Sequence, residues 1–105
     1  MDNKFLRKQV GQKVYTIKKI VDEPVYWTGD EEFILVKSTV DKIVLDNKKT
    51  SDITIKALSS VVVSCTENKI DEEYDEILLE KGSCVHLLKL NNTWYIISSD
   101  GLKFN

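Results

Sequence analysis

The sequence predicts an all-β protein, folded as a compact antiparallel sandwich or small barrel of short strands. The first reason is a series of short runs rich in β-branched or aromatic residues, most clearly over residues 42–98. The second reason is that most runs are followed closely by Asp, Asn, Ser or Gly, which favour tight turns. The acidic segment 68–76 is the one helix candidate, and a loop fits it equally well.

The first three predicted strands lie before residue 37. Residues 14–17 form the first strand, and Pro24 ends it because proline lacks the N–H group that a ladder needs. Residues 25–28 form a second short strand, with a turn at Gly29 and Asp30. Phe33–Val36 is a continuous apolar run, which indicates a strand buried on both faces.

Six further runs follow. Ile53 and Ile55 alternate with Thr54 and Lys56, so one face of that strand should be buried and the other solvated. The strongest hairpin signal is Asn91-Asn92, since asparagine tolerates the positive φ angles of a two-residue turn. The predicted strands are Lys42–Leu45, 52–58, Val61–Cys65, 77–79, 85–90 and 93–98.

Length and charge limit the class of protein. A chain of 105 residues suits one domain, which we divide into an N-terminal arm (1–10) and a single β domain (11–105). With 42% apolar residues, 30% charged residues and a formal charge of -2, the composition is that of an ordinary globular protein. We expect no nucleic-acid partner and no membrane partner, because the chain is not basic and no apolar run reaches ~18 residues. No signal peptide is expected either, since the first residues lack an apolar stretch.

Few residues suggest a catalytic or metal-binding site. Cys84 and His86 stand two apart on a predicted strand and therefore share a face, so a reactive thiol–imidazole pair competes with a packed strand histidine. With Cys65 they make only three candidate ligands, short of the four of a zinc site. The carboxylates of 71–76 lack the glycine of a calcium loop. We therefore expect no catalytic residue, no metal and no cofactor, and two free thiols.

Two regions are candidate partner-binding sites. Tyr26 and Trp27 alternate on a strand, so one should face outward and contact a partner; an aromatic half-buried at a sheet edge is the alternative. The N-terminal arm has an apolar centre ringed by positive charges, which suits docking on another chain, although it could equally fold back on its own domain. The candidate contact residues are Phe5, Leu6, Arg7, Lys8, Tyr26 and Trp27.

Five pieces of sequence carry a family resemblance. They are Ile43-Val44-Leu45-Asp46-Asn47, Asp52-Ile53-Thr54-Ile55-Lys56, Ile70-Asp71, Gly82-Ser83-Cys84-Val85-His86-Leu87 and Asn92-Thr93-Trp94-Tyr95-Ile96-Ile97-Ser98. In this order, over residues 42–101, the chain resembles the short-stranded β modules of phage tail and head fibres. Glu72 and Asn91 stand where those modules often carry glycine.

The resemblance implies a non-enzymatic virion structural protein, assembled in the host cytoplasm. Its most specific form is a phage auxiliary capsid protein, a head decoration or fibre-associated protein whose partner is a capsid or fibre protein. A homotrimer could bury the apolar strands Phe33–Val36 and 61–63. The alternative is a small intracellular adaptor or inhibitor that binds one host protein through Tyr26, Trp27 and the segment 71–76.

Overall fold

The computed structural model describes residues 5–10, 13–20, 24–29, 31–37, 40–46 and 51–104, with the backbone alone for 5–10, 13–20 and 104. The described residues form nine strands and no helix, which confirms the all-β prediction. The strands are β1 (Phe5–Val10), β2 (Lys13–Ile20), β3 (Val25–Trp27), β4 (Phe33–Val36), β5 (Lys42–Leu45), β6 (Asp52–Ala57), β7 (Val61–Cys65), β8 (Glu76–Leu90) and β9 (Thr93–Phe104). The described residues contain no helix that is long and apolar enough to cross a membrane.

The strands pair in two parallel series. The first stack consists of β2, β4 and β6, and the second stack consists of β3, β5 and β7. Four of the eight ladders are therefore parallel, and the strands form one curled mixed sheet. The antiparallel prediction is correct only for the other four ladders.

Parallel pairing arises because the chain alternates between the stacks. Parallel neighbours need a connection of about a dozen residues or more, usually supplied by a helix. Here the four strands from β3 to β6 each lie within the connection between two strands of the other stack: β5, for example, lies between β4 and β6 in the chain. Phe33 accordingly pairs with Ile17 and Thr54, which lie 16 positions before it and 21 positions after it.

The long strand β8 closes both stacks. Its first part, 76–79, pairs antiparallel with β7, and its last part, 84–88, pairs antiparallel with β6. Strand β9 runs beside β8 along both parts. The sequence predicted two separate strands at 77–79 and 85–90, because the polar residues between them resemble a loop.

A corner joins the two parts of β8. Leu79 pairs with Leu102 and Cys84 with Asp100, so the four residues 80–83 lie opposite Gly101 alone. Gly82 and Gly101 have φ angles of 94° and 80°, which favour glycine. The buried Ser83 hydroxyl donates a hydrogen bond of 3.0 Å to the carbonyl of Gly101. These contacts turn both strands from one stack to the other.

Inward-facing residues of both stacks form one hydrophobic core. The alternation predicted for β6 is confirmed, since Ile53 and Ile55 are fully buried while Thr54 and Lys56 are only partly buried. Trp94 of β9 is the largest fully buried side chain. The core also contains Ile34, Val36, Ile43, Leu45, Ala57, Val61, Val63, Ile77, Leu79, Val85 and Leu87.

The hairpin tip has the geometry that its two asparagines predict. Asn91 and Asn92 have φ angles of 51° and 64°, between the paired residues Leu90 and Thr93. Positive φ at both central positions is the requirement of a type I′ turn, whose twist matches that of the flanking strands. The turn prediction is therefore confirmed.

The predicted N-terminal arm contains β1, which pairs antiparallel with β2 from Phe5 to Val10. This pairing corresponds to the alternative in which the arm folds back on its own domain. The side chains of Phe5, Leu6, Arg7 and Lys8 lie outside the described residues, and docking on another chain stays a prediction. The turn residues Asp30 and 47–49 also lie outside the described residues.

Candidate protein-interaction surface

Strand β3 presents two apolar side chains to solvent. Val25 is 47% exposed and Trp27 is 57% exposed, whereas Tyr26 between them is only 6% exposed and belongs to the core. This is the alternation that the sequence predicts for neighbouring residues of a strand. Of the two aromatic candidates, Trp27 is therefore the one that offers surface for a partner.

The ladders extend this surface across four strands. Directly paired residues lie on the same face of a sheet. Trp27 pairs with Val44, and Val25 pairs with Lys42, which in turn pairs with Val62. Val62 pairs with Leu78 of β8. The outer face of the second stack and β8 thus carries an apolar strip, made of Val25, Trp27, Val44, Val62 and Leu78. Val25 and Trp27 are exposed, Val62 and Leu78 are half-buried, and Val44 is only 7% exposed.

The strip has one charge of each sign beside its centre. Lys42 lies within it on β5, and Glu76 on β8 pairs with Ser64, the neighbour of Val44. Neither Lys42 nor Glu76 makes an ion pair with the described residues. A second pair of opposite charges is formed by Lys103 of β9 and Glu80 of β8, whose Nζ and Oε1 atoms are 3.1 Å apart. Both side chains are exposed, so this ion pair adds little stability.

The loop after β3 is held by two buried polar residues. Thr28 and Glu31 are 4% and 3% exposed. The Glu31 carboxylate accepts a hydrogen bond of 2.8 Å from the Gly29 N–H. The Thr28 hydroxyl oxygen accepts another of 2.8 Å from the Asp46 N–H, beyond the end of β5. These hydrogen bonds hold the chain in place immediately after Trp27, and no sequence pattern predicts them.

The outer face of the first stack has a different, mostly polar character on β6 and β8. His86 lies opposite Thr54, and its Nε2 is 2.6 Å from Oδ1 of Asp52. Both side chains are partly exposed, at 35% and 42%. Asp52 orients the imidazole ring, and the sequence did not mark it because it lies 34 positions from His86.

The two cysteines lie apart. Cys84 shares the outer face of the first stack with His86, but no hydrogen bond joins the two in the described part of the chain. Cys65 is half-buried at the end of β7, and burial raises the pKa of its thiol to about 12. Both thiols are free. No group of three or more potential metal ligands occurs among the described residues.

Residues 68–75 of the acidic segment form a loop that covers the edge of β9, and Glu76 begins β8. The Asp71 N–H donates to the Trp94 carbonyl at 2.9 Å, and the Asp71 carboxylate accepts from the Ile96 N–H at 2.8 Å. Asp71 thereby occupies backbone groups that a neighbouring strand would otherwise pair.

Glu72 stands at a position where the phage fibre modules often carry glycine, and its backbone conformation is one that glycine adopts easily. Its φ angle is 61°, in the region that glycine adopts most easily. Its carboxylate accepts a hydrogen bond of 3.0 Å from the Tyr95 hydroxyl. This hydrogen bond, together with burial, raises the pKa of Tyr95 above its ordinary value.

Comparison of the sequence with protein-family models finds no match, and comparison with curated proteins finds no match either. Of the predicted contact residues, Trp27 lies on the apolar strip and Tyr26 lies in the core.

Proposed function

We propose that this protein is a non-enzymatic structural protein that acts by binding another protein through the apolar strip. The observation that carries the proposal is the exposure of Val25 and Trp27 together at one end of the apolar strip. Contiguous exposed apolar residues mark interaction sites, whereas single ones do not. Tryptophan is also enriched among the residues that contribute most to binding between proteins.

The more specific form of the proposal is an auxiliary virion protein on a phage head or fibre. The resemblance of residues 42–101 to phage fibre modules supports it. We further propose that the two stacks act as the two layers of a sandwich around their shared core. A stiff body of this kind suits a protein that repeats on a symmetric particle surface.

Incorporation into particles tests this function. Particles would be purified from cells of the source organism that express the tagged full-length chain, and their proteins identified by mass spectrometry. We expect the wild-type chain in the particles and about tenfold less of a Trp27→Ala variant, the loss typical of an interface tryptophan. Ile97→Ala is the matched control, since Ile97 is 54% exposed on β9 and lies off the strip.

Two outcomes would contradict the proposal. Absence of the wild-type chain from purified particles would remove the virion role. Full incorporation of the Trp27→Ala variant would show that the apolar strip is not the binding surface.

The adaptor or inhibitor alternative is favoured by the position of Glu76. This residue is both the end of the acidic segment and a neighbour of the strip, so a basic host protein could contact both. Recovery of one soluble host protein, bound stoichiometrically and released by Trp27→Ala, would favour the alternative over the virion role.

A further inference from the structure

The charges beside the apolar strip are arranged so that the surface is complementary to itself. Lys42 on β5 and Glu76 on β8 lie on either side of β7, at diagonal positions of the same face. Val62 and Ser64 of β7 lie between them. Neither charge is paired with another described side chain.

We propose that the partner on the apolar strip is a second copy of this chain, related to the first by a two-fold axis that lies in the interface over β7, parallel to the sheet surface. The proposal rests on the proposed function, since it names the occupant of the same surface. An axis above the midpoint of Val62 and Ser64, perpendicular to the line from Lys42 to Glu76, places Lys42 of one copy over Glu76 of the second copy. The symmetry produces the same ion pair twice.

Charge complementarity favours a second copy over other occupants. A strongly acidic partner would pair with Lys42 but would repel Glu76, and a strongly basic partner would do the reverse. Like charges brought together at an interface weaken binding and help to exclude wrong partners. A surface that carries one charge of each sign, on opposite sides of an apolar centre, satisfies both charges against a second copy of itself.

The size of the strip predicts a weak dimer. Four strands spaced about 4.8 Å apart give a strip about 15 Å wide. Two outward residues along each strand add a length of about 7 Å, so the strip covers on the order of 100 Å², well below the roughly 800 Å² that each partner of a stable complex usually buries. We therefore expect a dissociation constant of about 10–100 μM, so that the dimer forms at the high local concentration of an assembly.

Sedimentation equilibrium of the full-length chain from about 1 to 200 μM tests the arrangement. We expect a monomer–dimer equilibrium, in which Lys42→Glu and Glu76→Lys each raise the dissociation constant at least about tenfold. The double variant K42E/E76K restores both ion pairs with reversed signs, and its dissociation constant should return to within about threefold of wild type.

Matched controls separate this effect from a change in net charge. Lys81→Glu and Glu67→Lys make the same charge changes at exposed positions off the strip, and the dissociation constant should not change. Thermal unfolding checks that each variant is folded. If a reversal unfolds the chain, Lys42→Gln and Glu76→Gln replace it and should raise the dissociation constant about threefold.

Each other outcome overturns the inference. A chain that stays monomeric to 200 μM has no such dimer, and a dimer indifferent to both single variants uses another surface. Failure of the double variant to restore association would exclude the pairing of Lys42 with Glu76. A monomer that still requires Trp27 to enter particles would overturn the dimer and leave the proposed function standing.

Discussion

The two stacks use the same internal design but differ on the outside. In both, alternate residues of parallel strands enter one shared core. Outside, β6 and the neighbouring part of β8 present Thr54, Lys56 and His86, β4 presents the half-buried Phe33 and Leu35, and the second stack presents Trp27 and Val62. The polar outer side of β6 demonstrates that a strand of this fold does not need an apolar outer side. The exposure of Trp27 is therefore not a requirement of the fold, and the proposed protein binding would account for it.

Neighbouring residues of β8 provide the strongest test of this comparison. Ile77 faces the core and is fully buried, while Leu78 belongs to the strip. We expect Ile77→Ala to lower the free energy of unfolding by about 2–5 kcal/mol, because it removes buried methylene groups and leaves a cavity. Leu78→Ala should lower it by less than about 1 kcal/mol. Urea unfolding at a concentration where the chain is monomeric measures both values.

An equal loss for the two variants would contradict the comparison. It would mean that Leu78 is packed as tightly as the core within one chain, and that the strip is not an available surface.

The corner that joins the stacks gives the second prediction. Gly101 and Gly82 both have positive φ angles, but an added Cβ at Gly101 would overlap the Ser83 hydroxyl, while Gly82 has open space. We expect Gly101→Ala to cost about 2–3 kcal/mol, from backbone strain and overlap together. Gly82→Ala should cost about 1 kcal/mol, from strain alone.

Chemical denaturation of the two variants measures the difference. Equal losses would show that backbone strain alone matters at the corner and that the contact between Ser83 and Gly101 does not hold the stacks together.

The sequence predicted strands better than it predicted their neighbours. Phe33–Val36, Lys42–Leu45 and Val61–Cys65 have the predicted bounds, because strand-forming residues and turn residues are local signals. Alternation specifies which face of a strand is buried, but it does not specify which strand lies beside it. The parallel ladders, and the continuity of β8 through its corner, were therefore missed.

The candidate site was only partly predictable for the same reason. Alternation required that one of Tyr26 and Trp27 face outward, but the core on the Tyr26 side is formed by residues far along the chain. The strip depends on the pairing of Trp27 with Val44 and of Val62 with Leu78. Positive φ at Glu72 could have been suspected, since the phage fibre modules that the sequence resembles often carry glycine there.

The cysteines extend the comparison, since Cys65 lies in the second stack and Cys84 on the outer face of the first. The pKa of Cys65 is raised by burial from 9.0 to about 12, so its thiolate is scarce at pH 8. A Cys84→Ser variant isolates this thiol. We expect it to react with iodoacetamide about 30-fold more slowly than a thiol of ordinary pKa, because the higher nucleophilicity of the rarer thiolate offsets part of the deficit.

The contribution of the Cys65 thiol to stability changes with pH in a definite direction. Folding favours the neutral Cys65 thiol, so its contribution to stability is complete below pH 9.0 and is lost as the pH rises toward about 12. The alkylation rate should keep rising across this window. A rate that levels off near pH 9 would show that burial does not protect Cys65.

The smallest effect is expected on the outer face of the first stack. Asp52 and His86 are 2.6 Å apart, but both are partly exposed, and water screens their interaction. A double-mutant cycle with Asp52→Ala and His86→Ala should give a coupling energy below about 1 kcal/mol, measured by urea unfolding. Thr54→Ala is a control for a change on the same face, because Thr54 lies opposite His86. A coupling well above this limit would mean that the first stack, too, depends on its outer face, and the apolar strip would then lose the contrast that marks it as a binding surface.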